Sequence, residues 1–322
     1  MRFFLETLLH VGKLQGKTPR LLFRALHAQR KLIGKVYDPI VELSSKYITG
    51  TTSPELPDSI SIPFSHELPF YILKYPGYSS NVGRIAAAVH QKYPAFTFID
   101  TGANIGDTIY MLRKYASFPV LCIEGDDYYY HILKRNASRF GQVKTVKSFV
   151  GAENTILEAS SSRQGGTAHL QVTGKDHIHL KTIPAILQEH PEFTNSKMIK
   201  IDTDGHDGKI IRGAASYLTK VKPIIFFEYD PYFLSLCNDN GLSILHFLLR
   251  HGYQSALIYD NFGFLQDAVD LHDFKKLEYL DSKVQYKMGC FYYDICAFPA
   301  EEHDLYTTIW KTEAFYSRNG LS

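Results

Sequence analysis

Sulfur chemistry is nearly absent from this 322-residue chain, which has four cysteines, four methionines and no C-x-x-C pair. Cys122, Cys237, Cys290 and Cys296 are scattered. That excludes a disulfide framework and a compact zinc motif, and reduced, buried thiols in a cytoplasmic protein are the expectation. Long apolar runs are missing too, since no segment approaches the roughly 20 apolar residues that a spanning helix needs. No signal-peptide core is present at the start, because Glu6 and His10 interrupt Phe3-Phe4-Leu5 and Leu8-Leu9. A formal net charge of +2 gives no global pull toward nucleic acid, and no such partner is expected. What is plentiful is ring surface: 22 Tyr and 21 Phe against one Trp, crowded near strand ends such as Tyr128-Tyr129-Tyr130 and Tyr232-Phe233. Most must be core, but those beyond Glu124 and Glu228 can wall a ligand site. The length suits one large α/β domain with an accessory segment.

The most informative stretch is Phe98-Ile99-Asp100-Thr101-Gly102-Ala103-Asn104-Ile105-Gly106-Asp107. It reads as a buried parallel strand, a tight turn and the opening of a helix. A dinucleotide loop presents bare amides to a pyrophosphate. Here Asp100 and Asp107 make the loop acidic, which suits a ligand carrying an ammonium and a sulfonium: S-adenosyl-L-methionine. Val120-Leu121-Cys122-Ile123-Glu124 is a second acid-tipped strand, with Glu124 near the roughly 20-residue offset at which such folds hold ribose hydroxyls. An NAD-dependent oxidoreductase would place its ribose the same way, so Glu124 alone leaves that alternative open.

Two further apolar runs end in acids. Met198-Ile199-Lys200-Ile201 leads into Asp202-Thr203-Asp204-Gly205-His206-Asp207, and Pro223-Ile224-Ile225-Phe226-Phe227 leads into Glu228-Tyr229-Asp230. Open α/β sheets bind ligands at the carboxyl ends of their strands, so these acids should converge on one rim.

In FIDTGANIGDT, KIDTDGHD with IIRGA, and IIFFEYDP, the chain resembles the FkbM-type S-adenosylmethionine-dependent methyltransferases over roughly residues 64 to 300. The family usually reads Asp-x-Glu-Gly-Ala-Glu where this chain has Asp202 to Asp207, with two aspartates and His206 in place of the glutamates and alanine. The resemblance implies a Rossmann-like class I sheet, mostly parallel with an antiparallel closing pair near Gln254–Tyr259 and Cys290–Phe298. It also implies O-methylation, with a small-molecule or glycan acceptor and a sugar hydroxyl favoured. Asp100, Gly102, Asn104 and Gly106 are expected on the methionine half of the cofactor, Glu124 on the ribose, Ser148 and Phe149 at the adenine edge, and Asp202 shared with the acceptor. His206 is the favoured general base, since neighbouring carboxylates would raise its pKa, with Asp202, Asp204 and Asp207 around it. The same acids could instead hold Mg²⁺. Because the second block is altered, an inactive cofactor-binding module is the other alternative.

Core strands are expected near 96–100, 120–124, 144–150, 198–202 and 223–228, with helices at 105–115, 127–139, 180–189, 207–219 and 241–251. Ser61 to Leu73 reads as a strand or hairpin, and polar Glu158 to Thr167 as a hairpin or lid. Residues 1–60 read as a basic helical segment and linker ahead of a methyltransferase domain at 61–322, the boundary marked by turn formers at 51–59. Eight basic residues against one acid in residues 1–35 suggest a helix that docks a partner, lies on a membrane surface, or simply packs with a solvated basic face. Removal of residues 1–50 is expected to leave cofactor binding intact.

Overall fold

The computed structural model describes residues 1–14, 17–75, 77–164, 167–287 and 291–319. The chain opens with helices α1 (Arg2–Lys13) and α2 (Lys17–Val36), then β1 (Ile40–Ser44), α3 (Lys46–Thr49), β2 (Ser59–Pro63) and α4 (Leu68–Lys74). Helix α5 (Ser80–Lys92) feeds β3 (Phe98–Thr101), and α6 (Asp107–Arg113), β4 (Val120–Glu124), α7 (Asp127–Ala137) and β5 (Val143–Lys147) alternate after it. A short β6 (Phe149–Val150) and the long β7 (Thr155–Gln164) and β8 (Thr167–Lys181) form a separate three-stranded sheet. The chain then returns through α8 (Ile183–Glu189), β9 (Met198–Ile201), α9 (Asp207–Gly213), α10 (Ala215–Val221) and β10 (Ile224–Tyr229). Helices α11 (Pro231–Leu236) and α12 (Gly241–Arg250) lead to β11 (Tyr253–Asp260), β12 (Leu265–Asp270), α13 (Phe274–Gln285), β13 (Tyr293–Pro299) and α14 (His303–Asn319).

The main sheet has eight strands in the order β12-β11-β13-β10-β9-β3-β4-β5. The five strands from β10 to β5 run parallel, and β13 lies antiparallel between β10 and β11. β3, β4, β9 and β10 are buried along their whole length, as apolar strands covered on both faces should be. Their side chains alternate between two cores. Ile99, Ile123, Ile199 and Ile225 pack in one; Phe98, Cys122, Met198 and Phe226 pack in the other. The chain builds outward from β3 to β5, then crosses back to β9 on the other side of β3. That reversal opens a crevice at the carboxyl ends of β3 and β9.

Several expectations change in detail. The run 144–150 is not one strand: it breaks at Ser148, and Phe149–Val150 joins β8. Ser61 to Leu73 holds the end of β2 followed by helix α4, and 207–219 is two helices meeting at Ala214. The closing pair is antiparallel as implied, with β13 inserted beside β10. Glu158 to Thr167 is the tip of the β7–β8 hairpin; Gly165 and Gly166 there, like Cys290, lie outside the described residues. Leu5, Leu8, Leu9, Leu43 and Ile48 share one apolar cluster with Ile105 of the loop after β3 and with Tyr110, Met111, Tyr129 and Ile132 of the sheet-covering helices. The turn-rich stretch 51–59 therefore lies within continuous packing rather than at a gap. Among the described residues, no helix is long and apolar enough to cross a membrane.

Candidate active site

The loop after β3 is set by close backbone approach. Gly102 has φ +80°, and a Cβ there would fall 1.9 Å from the Asp202 carbonyl oxygen. Only glycine meets both demands. Two neighbouring amides, those of Gly102 and Ala103, donate to the Ile123 carbonyl at 3.0 Å. Glu124 then clamps the loop: its two carboxylate oxygens accept from the Asn104 and Asp126 amides, each at 2.8 Å. Burial pushes the Glu124 carboxyl up to about 7 against the pull of those amides.

After β9 the backbone turns sharply through Asp204 and Gly205, both with positive φ. Asp207 is fully buried and accepts from the Thr203 and Gly205 amides at 3.3 and 3.1 Å, which fixes that turn. Asp204 is swung toward the crevice. Its carboxyl is pushed up to about 7 by burial, reinforced by Asp202, Asp230 and Glu124. Lys200, near the end of β9, projects into the same acids: its Nζ donates to Asp202 Oδ2 at 2.9 Å and lies 3.5 Å from Asp100 Oδ1. Burial opposes its charge, but Asp202 and Asp100 hold it protonated.

On the next strands, Glu228 of β10 stands directly opposite Asp294 of β13 in the antiparallel ladder. Two carboxylates across a ladder repel unless a proton or cation intervenes. Burial, with Asp202 adding to it, holds both well above the usual carboxylate range. Glu228 Oε2 is buried and has no hydrogen-bond partner among the described residues.

Most of these groups border one cavity of about 790 Å³, within the range of ligand sites. Gly102, Asn104, Asp107, Asp202 and Asp204 line it on the β3–β9 side, and Glu228, Asp230 and Asp294 on the other. Tyr71, Tyr75, Tyr78, Phe262, Phe291 and Tyr292 supply aromatic wall. Tyr75 stacks on Phe262 with ring centroids 3.7 Å apart.

Not every residue read from the sequence reaches this cavity. Asp100 is wholly buried behind Lys200, and Gly106, at φ +83°, precedes α6 with a would-be Cβ 2.8 Å from Leu133. Glu124 stands outside the lining, as do Ser148 and Phe149 beside it. The Ser148 amide donates to the Glu124 carbonyl, and the Phe149 ring covers Gly125. His206 is the residue preceding α9 and is not among the lining residues, because the left-handed turn points Asp204 there instead. Among the described residues, no group of three or more His, Cys, Asp or Glu is arranged to hold a metal ion, so the acids offer no ready Mg²⁺ site.

Sequence reasoning overlooked Lys200 and Asp294. A lysine inside an otherwise apolar strand was a readable signal for the first. Asp294 came into view only with the β10–β13 pairing.

Strand order, strand direction and the acid-rimmed switch point define a class I methyltransferase sheet. Residues 100–255 match the family model described as the methyltransferase FkbM domain, the family that the sequence resembles. Among solved structures, the methyltransferase FkbM from Methylobacillus flagellatus KT is 20% identical, with a TM-score of 0.36. That match covers 50% of this chain and 40% of the other. A precorrin-6y C5,15-methyltransferase from Geobacter metallireducens is 13% identical, covering 64% of this chain and 80% of that one, at a TM-score of 0.34. An O-methyltransferase from Bacillus cereus in complex with SAH is also 13% identical, covering 68% and 80%, at a TM-score of 0.35. No curated protein matches the chain.

Proposed function

We propose that this protein transfers a methyl group from S-adenosyl-L-methionine to a hydroxyl oxygen, with a sugar of a glycan or glycosylated small molecule as acceptor. The observation that carries the reading is the convergence of Asp107, Asp202, Asp204, Glu228 and Asp294 on one cavity at the switch point. Those carboxyl oxygens accept from an ammonium and favour a cationic ligand, whose charge would draw their raised pKa values down, whereas they present no cation to a diphosphate, which disfavours a nicotinamide dinucleotide. Gly102 and Asn104, with Asp100 and Gly106 behind them, would border the amino-acid half of the cofactor. Glu124, Ser148 and Phe149 lie outside the cavity lining, so their part in holding the ribose and adenine would be indirect, through the loop that Glu124 clamps at the Asn104 amide. When bound, the cofactor supplies an activated methyl on its sulfonium.

The chain's own contribution is alignment and proton removal. Asp204, which borders the cavity with a carboxyl near 7, is assigned as the base that accepts the hydroxyl proton. Asp202, tied to Lys200, orients the acceptor between cofactor and base. Glu228 and Asp294 offer acceptor oxygens for further hydroxyls, and Tyr71, Tyr75 and Tyr78 offer flat faces for the apolar side of a sugar ring.

The test has two stages. Isothermal titration with S-adenosylmethionine and with NAD⁺ separates this reading from the oxidoreductase, which would bind only the second. Labelled methyl transfer to a panel of mono- and oligosaccharides then reads the reaction, with products treated in mild alkali. A methyl ether survives that treatment, whereas a methyl ester is cleaved and would refute O-alkylation of a hydroxyl. Tight cofactor binding without transfer to any acceptor would favour the inactive module.

A further inference from the structure

Helix α2 is built the wrong way round for a helix that merely packs on a domain. Its inward side is Phe23, Leu26, His27 and Arg30. Arg30 is fully buried, donates to the Phe64 carbonyl at 2.7 Å and pairs with Glu67, while His27 packs edge-on to Phe70 at 4.3 Å. Its outward side carries apolar residues. Leu21, Ala25, Ala28, Leu32 and Val36 follow the i, i+4, i+7, i+11, i+15 spacing of a single helical stripe. All five are exposed, Leu21 and Leu32 at 67% and Val36 at 88%, with Leu22 and Ile33 exposed beside them.

A second stripe runs parallel, one residue back: Arg20, Arg24, Lys31 and Lys35, all exposed. Each cation flanks an apolar neighbour, in the pairs Arg20–Leu21, Arg24–Ala25, Lys31–Leu32 and Lys35–Val36. Lys31 reaches Glu67 at 3.6 Å, while Arg20, Arg24 and Lys35 have no ion-pair partner among the described residues. The helix contains no acid at all. Solvent alone would not favour this surface, because water gains nothing from the leucine stripe. A second copy of the same helix would bring cation against cation.

We infer that α2 is a membrane-surface helix that seats its Leu21–Val36 stripe in the headgroup region of an anionic lipid bilayer, with Arg20, Arg24, Lys31 and Lys35 on the lipid phosphates and carboxylates. Helix α4, with Glu67 just before it, carries α2 on one side through Glu67 and Phe70, and lines the cavity through Glu67 and Tyr71. A bilayer-bound chain therefore holds the cavity beside the lipid headgroups. This goes beyond the reading of the cavity, and the binding itself does not depend on it.

Co-sedimentation of the full chain with vesicles tests it. Vesicles of phosphatidylcholine with about a third phosphatidylserine should pellet the protein, pure phosphatidylcholine should do so far less, and added salt should release it. Arg24→Ala and Lys35→Ala should each weaken vesicle affinity about fivefold, and Leu21→Glu with Leu32→Glu should abolish it. Thermal melts of these outward-facing variants should match wild type, which separates lost binding from lost folding. Equal binding to neutral and anionic vesicles would overturn the inference, as would unchanged binding by the Leu21→Glu, Leu32→Glu variant. So would a wild-type dimer by light scattering that this variant splits, with no vesicle binding, since the stripe would then be a subunit interface.

Discussion

Replacing Lys200 by methionine keeps the length and the apolar stem of the side chain and removes only the ammonium. In the native state that ammonium sits 2.9 Å from Asp202 and 3.5 Å from the fully buried Asp100. It also draws down the carboxyls of Asp107, Asp204 and Asp294. Stranding a buried charge by deleting its partner costs about 3–5 kcal/mol. Here the carboxylates have an escape, because they can bind protons. Burial already raises the folded-state pKa of Asp100 above its ordinary value, and losing Lys200 raises it further. The native state then holds a proton that the unfolded chain, with a carboxyl near about 4, has released. Stability is accordingly retained at low pH and lost as pH rises through the folded-state pKa. Calorimetry should show Lys200→Met melting on the order of 10 °C below wild type near pH 8, at roughly 2–4 °C per kcal/mol, and by clearly less near pH 5. Adding Asp100→Asn should restore much of the loss, since the stranded charge is gone. A melting point within about 2 °C of wild type near pH 8 would refute the reasoning, as would a loss no smaller near pH 5.

Asp204→Asn should lower methyl transfer by roughly 10² to 10⁴ while leaving calorimetric cofactor affinity almost unchanged; wild-type turnover should rise with pH through about 7 as this carboxyl ionises, and His206→Ala should be mild in the same assay. Gly102→Ala, forced into φ +80° with its Cβ 1.9 Å from the Asp202 carbonyl oxygen, should lose at least about 2 kcal/mol in denaturant melts, and wild-type stability there would contradict the loop geometry. Glu124→Gln turns one acceptor into a donor facing an amide, so both stability and S-adenosylmethionine affinity should fall by about 1–3 kcal/mol, read by melting and by titration. Deleting residues 1–50 removes Leu5, Leu8, Leu9, Leu43 and Ile48 from the shared core, at about 1.5–3 kcal/mol each; the truncated chain should be largely unfolded by circular dichroism, contrary to the expectation drawn from the sequence.

The sequence by itself determined the sheet and the acids at its strand ends. Four apolar runs ending in Asp100, Glu124, Asp202 and Glu228 could only be buried strands, and the parallel arrangement brings their ends together. The tight turn at Gly102 was legible because a left-handed turn is a local property; the one at Gly205 came only with the structure. What a linear reading could not supply was the choice among neighbouring residues. Whether Asp204 or His206 faces the cavity depends on two successive positive φ values, and a one-residue rotation there exchanges the candidates for the base. Asp294 gains its place beside Glu228 from a strand pairing 66 residues apart in the chain. The N-terminal helices are decided in the same way. Their amphipathic spacing is local, but which stripe faces inward is set by Arg30 finding Glu67 and His27 finding Phe70. Only the packed structure turns Leu21 and Leu32 outward, because burial belongs to the fold and not to the residue.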